Sequence, residues 1–297
     1  MRIFVTGATG FIGSHVVKEL IAAGHKVQGL ARSDVGAQAL NAAGAEVQQG
    51  TLENIESLKT GTTASDAVIH LGMSIDSSNF LKIFETDKQA IEAMGAVLAG
   101  SDRPLIVATG LAGLAGPGQL ATEESSVPPD FPFPRVSEQT ALAQVAKGVC
   151  ASVMRLPQVH DTRKQGLITL AIATAREKGA AAYVGDGTNR WAAAHISDVA
   201  RLYRLALEKH EAGAKYHAVA EEGVPMREIA EIIGRGLKVP VISISSEEAP
   251  DHFGWWGRFA GADLLASSAI TRKKLGWNPT GPALVTDLQR MDYSQAA

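Results

Sequence analysis

Gly7, Gly10 and Gly13 recur at every third position in Thr6-Gly7-Ala8-Thr9-Gly10-Phe11-Ile12-Gly13. A β-branched run precedes them and an amphipathic run follows. Each glycine has its own use. The first permits a tight turn out of a strand, the second lets a pyrophosphate approach the backbone, and the third lets a helix pack close to the sheet. Free N–H groups at the start of that helix attract phosphate. A glycine triplet alone is weak evidence, but strand, turn and helix in this order form the context that makes it a dinucleotide signal. Thr9, Phe11 and Ile12 are expected cofactor contacts along with the three glycines.

The next strand chooses the dinucleotide. An acidic residue about 20 positions beyond the glycines would hold the ribose hydroxyls of NAD, whereas arginine accommodates the extra phosphate of NADP. This strand ends Gly29-Leu30-Ala31-Arg32-Ser33-Asp34. Arg32 and Ser33 stand where the adenosine ribose is expected, and a planar guanidinium matches phosphate geometry. NADP(H) is therefore expected ahead of NAD. Two alternatives stay open: Arg32 as a solvated strand-end charge, and Asp34 as a ribose ligand if the turn is long.

The elements that must carry these residues alternate. Arg2 to Thr6 reads as a strand, Phe11 to Ala23 as a helix with Ile12, Val16 and Leu20 on one face, and Lys26 to Ala31 as a second strand. Further apolar runs lie at Val47, Ala67 to Leu71, Leu105 to Thr109 and Ser152 to Leu156. Helical stretches cover Phe80 to Leu98 and Ser137 to Lys147. This order predicts an α/β fold, a doubly wound parallel sheet of the Rossmann type covered on both faces. The stretch Glu124 to Pro134 reads as a long loop near a site. Beyond Leu156 the alternation breaks up, with helices expected over Leu167 to Lys178, Met226 to Leu237 and Ser267 to Leu275. The expected division is a dinucleotide-binding domain over 1–160, with 190–220 returning to it, and a smaller substrate-side region over 161–189 and 221–297.

Taken together, these residues resemble the short-chain dehydrogenase/reductase superfamily in its extended or atypical branch, the one similar to NAD-dependent epimerases and dehydratases. Val5 to Gly13 looks like the extended type. Asp66-Ala67-Val68-Ile69-His70-Leu71-Gly72 is similar to the motif in which the fourth strand passes the cofactor. Arg155-Leu156-Pro157-Gln158-Val159-His160 resembles the segment beside the nicotinamide. Gly185-Asp186-Gly187, Trp191 and His195 to Ala200 resemble the substrate-side motif, and Leu275-Gly276-Trp277-Asn278-Pro279 the usual ending. The resemblance implies cofactor contacts at Leu52, Leu71, Gly72, Met73, Pro157 and Val159. It also implies that paired helices such as Phe80 to Leu98 and Ser137 to Lys147 form a homodimer.

The departures concern the chemistry. The superfamily's catalytic tyrosine precedes a lysine by four residues, and none of the four tyrosines here, Tyr183, Tyr203, Tyr216 and Tyr293, does so. Pro134-Arg135-Val136-Ser137-Glu138 occupies the expected place, with arginine near the tyrosine position and glutamate near the lysine position. Asp87 stands roughly where the family has a helix asparagine. The upstream hydroxyl must come from Thr109 or be absent.

A proton must still be supplied near neutral pH. His160 is the first candidate, because its segment is expected by the nicotinamide; a packed, backbone-bonded histidine is the plain alternative. Arg135 cannot deprotonate, so it would stabilise an oxyanion or hold an anionic substrate, or else pair with Glu138 at a helix start. His195 and Asp198 are expected to fix a loop and a helix start, His70 to be structural, and Trp191, Trp255 and Trp256 to pack between lobes, with lining a pocket as their alternative.

The bulk numbers narrow the classes. Hydrophobic content of 45% and charged content of 20% in 297 residues argue for a globular chain. A net charge of -3 gives no field for a nucleic-acid backbone. Cys150 is the sole cysteine, which excludes an internal disulfide and a thiolate zinc cluster, and no metal is expected. The apolar start Met1 to Val5 stops too early for a membrane span or secretion signal, so a cytoplasmic location and a small-molecule substrate are expected. The leading reading is an NADP(H)-dependent oxidoreductase acting on a small carbonyl or imine. A sugar-nucleotide epimerase or dehydratase with tightly bound NAD is the alternative, and a non-catalytic NADP(H) sensor is the third reading.

Overall fold

The computed structural model describes residues 1–73, 80–128 and 136–294. Along the first half run β1 (Arg2–Thr6), α1 (Phe11–Ala22), β2 (Lys26–Ala31), α2 (Asp34–Ala42) and β3 (Glu46–Gln49). Next come α3 (Ile55–Thr63), β4 (Ala67–His70), α4 (Phe80–Leu98), β5 (Ser101–Gly110), α5 (Val136–Val145) and β6 (Val149–Leu156). The second half opens with β7 (Gln158–His160), α6 (Ile168–Lys178), β8 (Ala181–Val184), β9 (Arg190–His195), α7 (Ile196–Glu208) and β10 (Lys215–His217). It ends with β11 (Glu221–Pro225), α8 (Met226–Leu237), β12 (Val241–Ile244), α9 (Ala249–Phe253), α10 (Gly257–Ala260), α11 (Ala269–Leu275) and α12 (Leu284–Arg290).

Seven strands form one parallel sheet in the order β3-β2-β1-β4-β5-β6-β10. β4 is buried along its whole length, as a strand covered on both faces must be. Alternate residues feed two cores. Ile3, Val5, Val27, Ile69 and Met154 pack with α1, α2 and α7, while Phe4, Leu30, Val68, Leu105 and Val153 pack with α3, α4 and α5. The result is the expected doubly wound α/β sheet. Strand order reverses between β1 and β4, so the crevice for a ligand opens at their carboxyl ends.

The second half adds what the alternation did not reveal. β11, β9 and β7 form a small mixed sheet, and β8 pairs with β12 in parallel. Ile168, Ile172, Ile229, Ile233, Phe253, Trp256, Leu284 and Leu288 build a separate core around Trp191. Leu275 and Trp277, late in the sequence, return to the core shared by α1 and α7. Among the described residues no helix is long and apolar enough to cross a membrane.

Candidate cofactor and substrate site

The glycine turn sits at the crevice. Gly7 has φ +65°, and a Cβ there would lie 2.7 Å from the Gly72 nitrogen, so the turn rests directly on the residues after β4. A Cβ on Gly13 would collide with the Gly7 carbonyl, which is why α1 can approach the sheet so closely. α1 begins at Gly10 with no side chain capping it and no acidic residue in its first turn. Its amide dipoles therefore face the crevice with no acidic side chain in the helix's own first turn to compete.

The neighbouring strand end carries the other expected contacts. Ser33 is the N-cap of α2, its hydroxyl accepting from the Gly36 N–H at 3.3 Å. A Cβ on Gly36 would touch the methyl of Thr9 at 3.2 Å, which puts Thr9 beside the Ser33 turn. Arg32 is exposed and has no ion-pair partner among the described residues. The Glu53 carboxyl is held below its ordinary range, first by the Thr51 hydroxyl and its own backbone, with Arg32 adding a smaller pull. Asp34 points to β3, where its carboxylate accepts from Gln49 Nε2 at 3.5 Å. Leu52 lies over Gly72, since a Cβ on that glycine would meet its Cδ2 at 3.0 Å. Met73 is half exposed at the same edge.

A buried hydrogen-bond chain runs beneath this cradle. The Gly72 N–H donates to Thr6 Oγ1 at 3.1 Å, and Thr6 Oγ1 lies 2.7 Å from His70 Nδ1. His70 Nε2 is 3.0 Å from Asp87 Oδ1, and the Ser137 hydroxyl donates to Asp87 Oδ2 at 2.6 Å. The Asp87 carboxylate can only accept, so the imidazole hydrogen sits on Nε2 facing it, and Nδ1 is left to accept the Thr6 hydroxyl proton.

At the β5–β6 edge Thr109 is half buried and the following Gly110 exposed. Arg155, fully buried, makes a two-pronged ion pair with Glu138 at 2.6 and 3.1 Å. Its other N–H groups reach the carbonyls of Glu123 and Ser125 and His217 Nε2. His217 Nδ1 donates to the Ser267 carbonyl, and burial pushes this histidine down to about 4. Glu138, near the family's lysine position, is thus a buried partner of Arg155. Arg135 lies outside the described residues.

His160 is fully buried. Its Nδ1 is 2.8 Å from Asp287 Oδ2, and His195 Nε2 lies 3.7 Å from the same oxygen. His160 Nε2 has no hydrogen-bond partner among the described residues. Burial lowers its pKa, with the Asp287 bond pulling the other way. Val159 packs in the sheet core, leaving Pro157, which is partly exposed, as the surface of that segment. His195 caps α7, and Asp198 accepts from the Thr280 and Gly281 amides, the loop-fixing roles expected of them. Tyr203 and Tyr216 are buried with no partner for either hydroxyl among the described residues, and burial raises both pKa values, Tyr216 to about 12.

The profile of the NAD dependent epimerase/dehydratase family matches residues 3–220. The chain belongs to that family. An uncharacterized protein of Schizosaccharomyces pombe is 48% identical over 99% of this chain and 100% of its own. A 4-hydroxy-2-methyl-3-oxo-4-farnesyl-3,4-dihydroquinoline-1-oxide ketoreductase of Stigmatella aurantiaca is 28% identical, covering 86% of this chain and 80% of its own. The solved dTDP-glucose 4,6-dehydratase DesIV of Streptomyces venezuelae, with NAD and TYD bound, superposes with TM-score 0.78 at 20% identity over 98% of this chain and 96% of its own.

Members of this epimerase/dehydratase family bind NAD or NADP. The residues here fit such a group, because Gly7 and Gly13 leave a cradle that side chains would fill and α1 opens uncapped towards it. A separate cleft of about 870 Å³ is walled by Ala112, Pro117, Asn189, Arg190, Phe259 and Leu264, from the segment after β5 and the C-terminal half. Thr6, Asp87 and Asp287 are the partners that sequence reasoning did not single out for the site. Only the Asp87 departure from the family pattern offered a signal.

Proposed function

We propose that this chain is an NADP(H)-dependent oxidoreductase acting on a small carbonyl or imine substrate. The observation that carries the reading is Arg32, an exposed guanidinium with no ion-pair partner among the described residues, beside the N-terminus of α2 and the turn that holds Thr9. A ribose phosphate would meet both the charge and the Ser33 hydroxyl there. Gly7, Gly10, Gly13, Phe11 and Ile12 would hold the pyrophosphate, with Leu52, Leu71, Gly72, Met73 and the Pro157–Val159 backbone along the rest of the dinucleotide. Bound, the cofactor supplies or accepts hydride. Thr109 would hold the substrate oxygen at the end of β5. Arg135 would bind an anionic or developing oxyanion group; His160, expected as the proton donor, is fully buried on Asp287 and would instead shape the interior behind the site.

Titration calorimetry with NADPH and NADH tests the reading. NADPH is expected to bind at least tenfold more tightly, and Arg32→Ala to remove that preference while leaving NADH binding within twofold. Equal affinity for the two in the native protein would sink it and return the ribose role to Asp34. One observation favours a second reading, a sugar-nucleotide epimerase: the 870 Å³ cleft is roomy for a small carbonyl compound. NAD retained through purification would support that alternative.

A further inference from the structure

Asp87 lies on the far side of β4 from the glycine turn, yet it ends a continuous buried chain that starts at that turn. Gly72 supports Gly7 from beneath, and its N–H has Thr6 Oγ1 as acceptor. Thr6 also fixes the preceding residue, its carbonyl accepting the Leu71 N–H at 3.2 Å. Asp87, as an acceptor-only carboxylate, takes the hydrogen of His70 Nε2, which leaves Nδ1 to accept the Thr6 hydroxyl proton. Every link is directional and every group buried. A break at any point leaves a buried donor or acceptor unsatisfied and frees Thr6 to rotate.

We propose that Asp87 is a positioning residue for the dinucleotide: through His70 and Thr6 it holds the Leu71–Gly72 backbone against the glycine turn in the geometry that receives the cofactor. This rests on the reading above that the turn is the dinucleotide site, but not on a preference for NADP. Hydrogen bonding, not charge, carries the effect, because the link between Asp87 and His70 needs only an acceptor oxygen. An asparagine at 87 can turn its amide oxygen to His70 Nε2 and its NH2 to the Ser137 oxygen. Ser137 sits at the outer end, so its loss leaves the three inward bonds intact.

The test is the dissociation constant of NADPH and of NADH, with the melting temperature recorded alongside, for Thr6→Val, Thr6→Ser, Asp87→Ala, Asp87→Asn and Ser137→Ala. Thr6→Val and Asp87→Ala are expected to weaken the tighter dinucleotide at least tenfold. Thr6→Ser, Asp87→Asn and Ser137→Ala are expected to stay within threefold of the native protein. If Asp87→Ala does not fold, the contrast of Thr6→Val with Thr6→Ser carries the test. Folded Thr6→Val and Asp87→Ala proteins binding within twofold of native would overturn the inference, as would an Asp87→Asn protein as weak as Asp87→Ala. A native protein that binds neither dinucleotide would overturn this inference and the cofactor reading together.

Discussion

His70 and His160 are the same kind of residue in the same kind of pair, and they sit in opposite halves of the molecule. Both are buried, and each faces a buried aspartate within 3.0 Å. His70 has partners at both ring nitrogens and is bonded through Thr6 to a backbone amide under the glycine turn. His160 has only one nitrogen engaged, and its aspartate belongs to α12, on the side of the core built by the C-terminal half. Chemical type therefore does not identify the functional histidine. What separates the two is where the second nitrogen leads: through Thr6 to the backbone under the glycine turn for His70, and to no partner among the described residues for His160.

The largest expected effect would break this comparison if it failed. His160→Leu leaves the buried Asp287 carboxylate with the more distant His195 as its one remaining side-chain partner among the described residues, and stripping the hydrogen-bond donor from a buried charged acceptor costs upward of about 3 kcal/mol. Urea unfolding is expected to show that loss, with dinucleotide affinity within twofold of native. A stable His160→Leu protein with normal cofactor binding and no turnover would instead make His160 part of the chemistry.

Acid sharpens the contrast. The free chain takes up a proton on histidine near 6.5, whereas folded His217 does so near 4, because its burial against Arg155 opposes a second positive charge. The unfolded state binds more protons in that window, so stability is full above pH 6.5 and declines as pH falls towards 4, by at most about 3 kcal/mol. His160, also lowered by burial, contributes with the same sign. Unfolding free energy measured from pH 7.5 to 4.5 should fall less steeply in His217→Gln, whose amide oxygen can still accept from Arg155. An unchanged slope would remove His217 from the account.

How much of this was legible in sequence follows from which forces set each part. The first half repeats strand and helix with glycines at the turns, so hydrophobic period and turn chemistry agree, and α4, expected over Phe80 to Leu98, forms over those residues. β9 is different. Arg190-Trp191-Ala192-Ala193-Ala194-His195 carries three alanines, which favour helix, yet pairing with β7 and β11 holds it extended. β8 and β12 have four residues each, too short for a period to emerge. In the site, the glycine turn was readable because its conformation demands glycine. The Arg155–Glu138–His217 cluster was not, because its members come from β6, α5 and β10 and meet only in the fold.

The smallest effect separates capping from ligand binding at Ser33. Its hydroxyl accepts from the Gly36 N–H, and loss of a serine cap costs about 1 kcal/mol, whereas glycine at the same position costs only a few tenths. Ser33→Ala and Ser33→Gly therefore form a graded pair in stability. If Ser33 also donates to a ribose phosphate, both variants lose that bond equally, and NADPH affinity should drop about threefold in each while NADH affinity holds. Affinity that follows stability, weaker in the alanine variant than in the glycine variant, would make Ser33 a cap alone. On the proposed NADP reading, Arg32 would then carry the phosphate preference by itself.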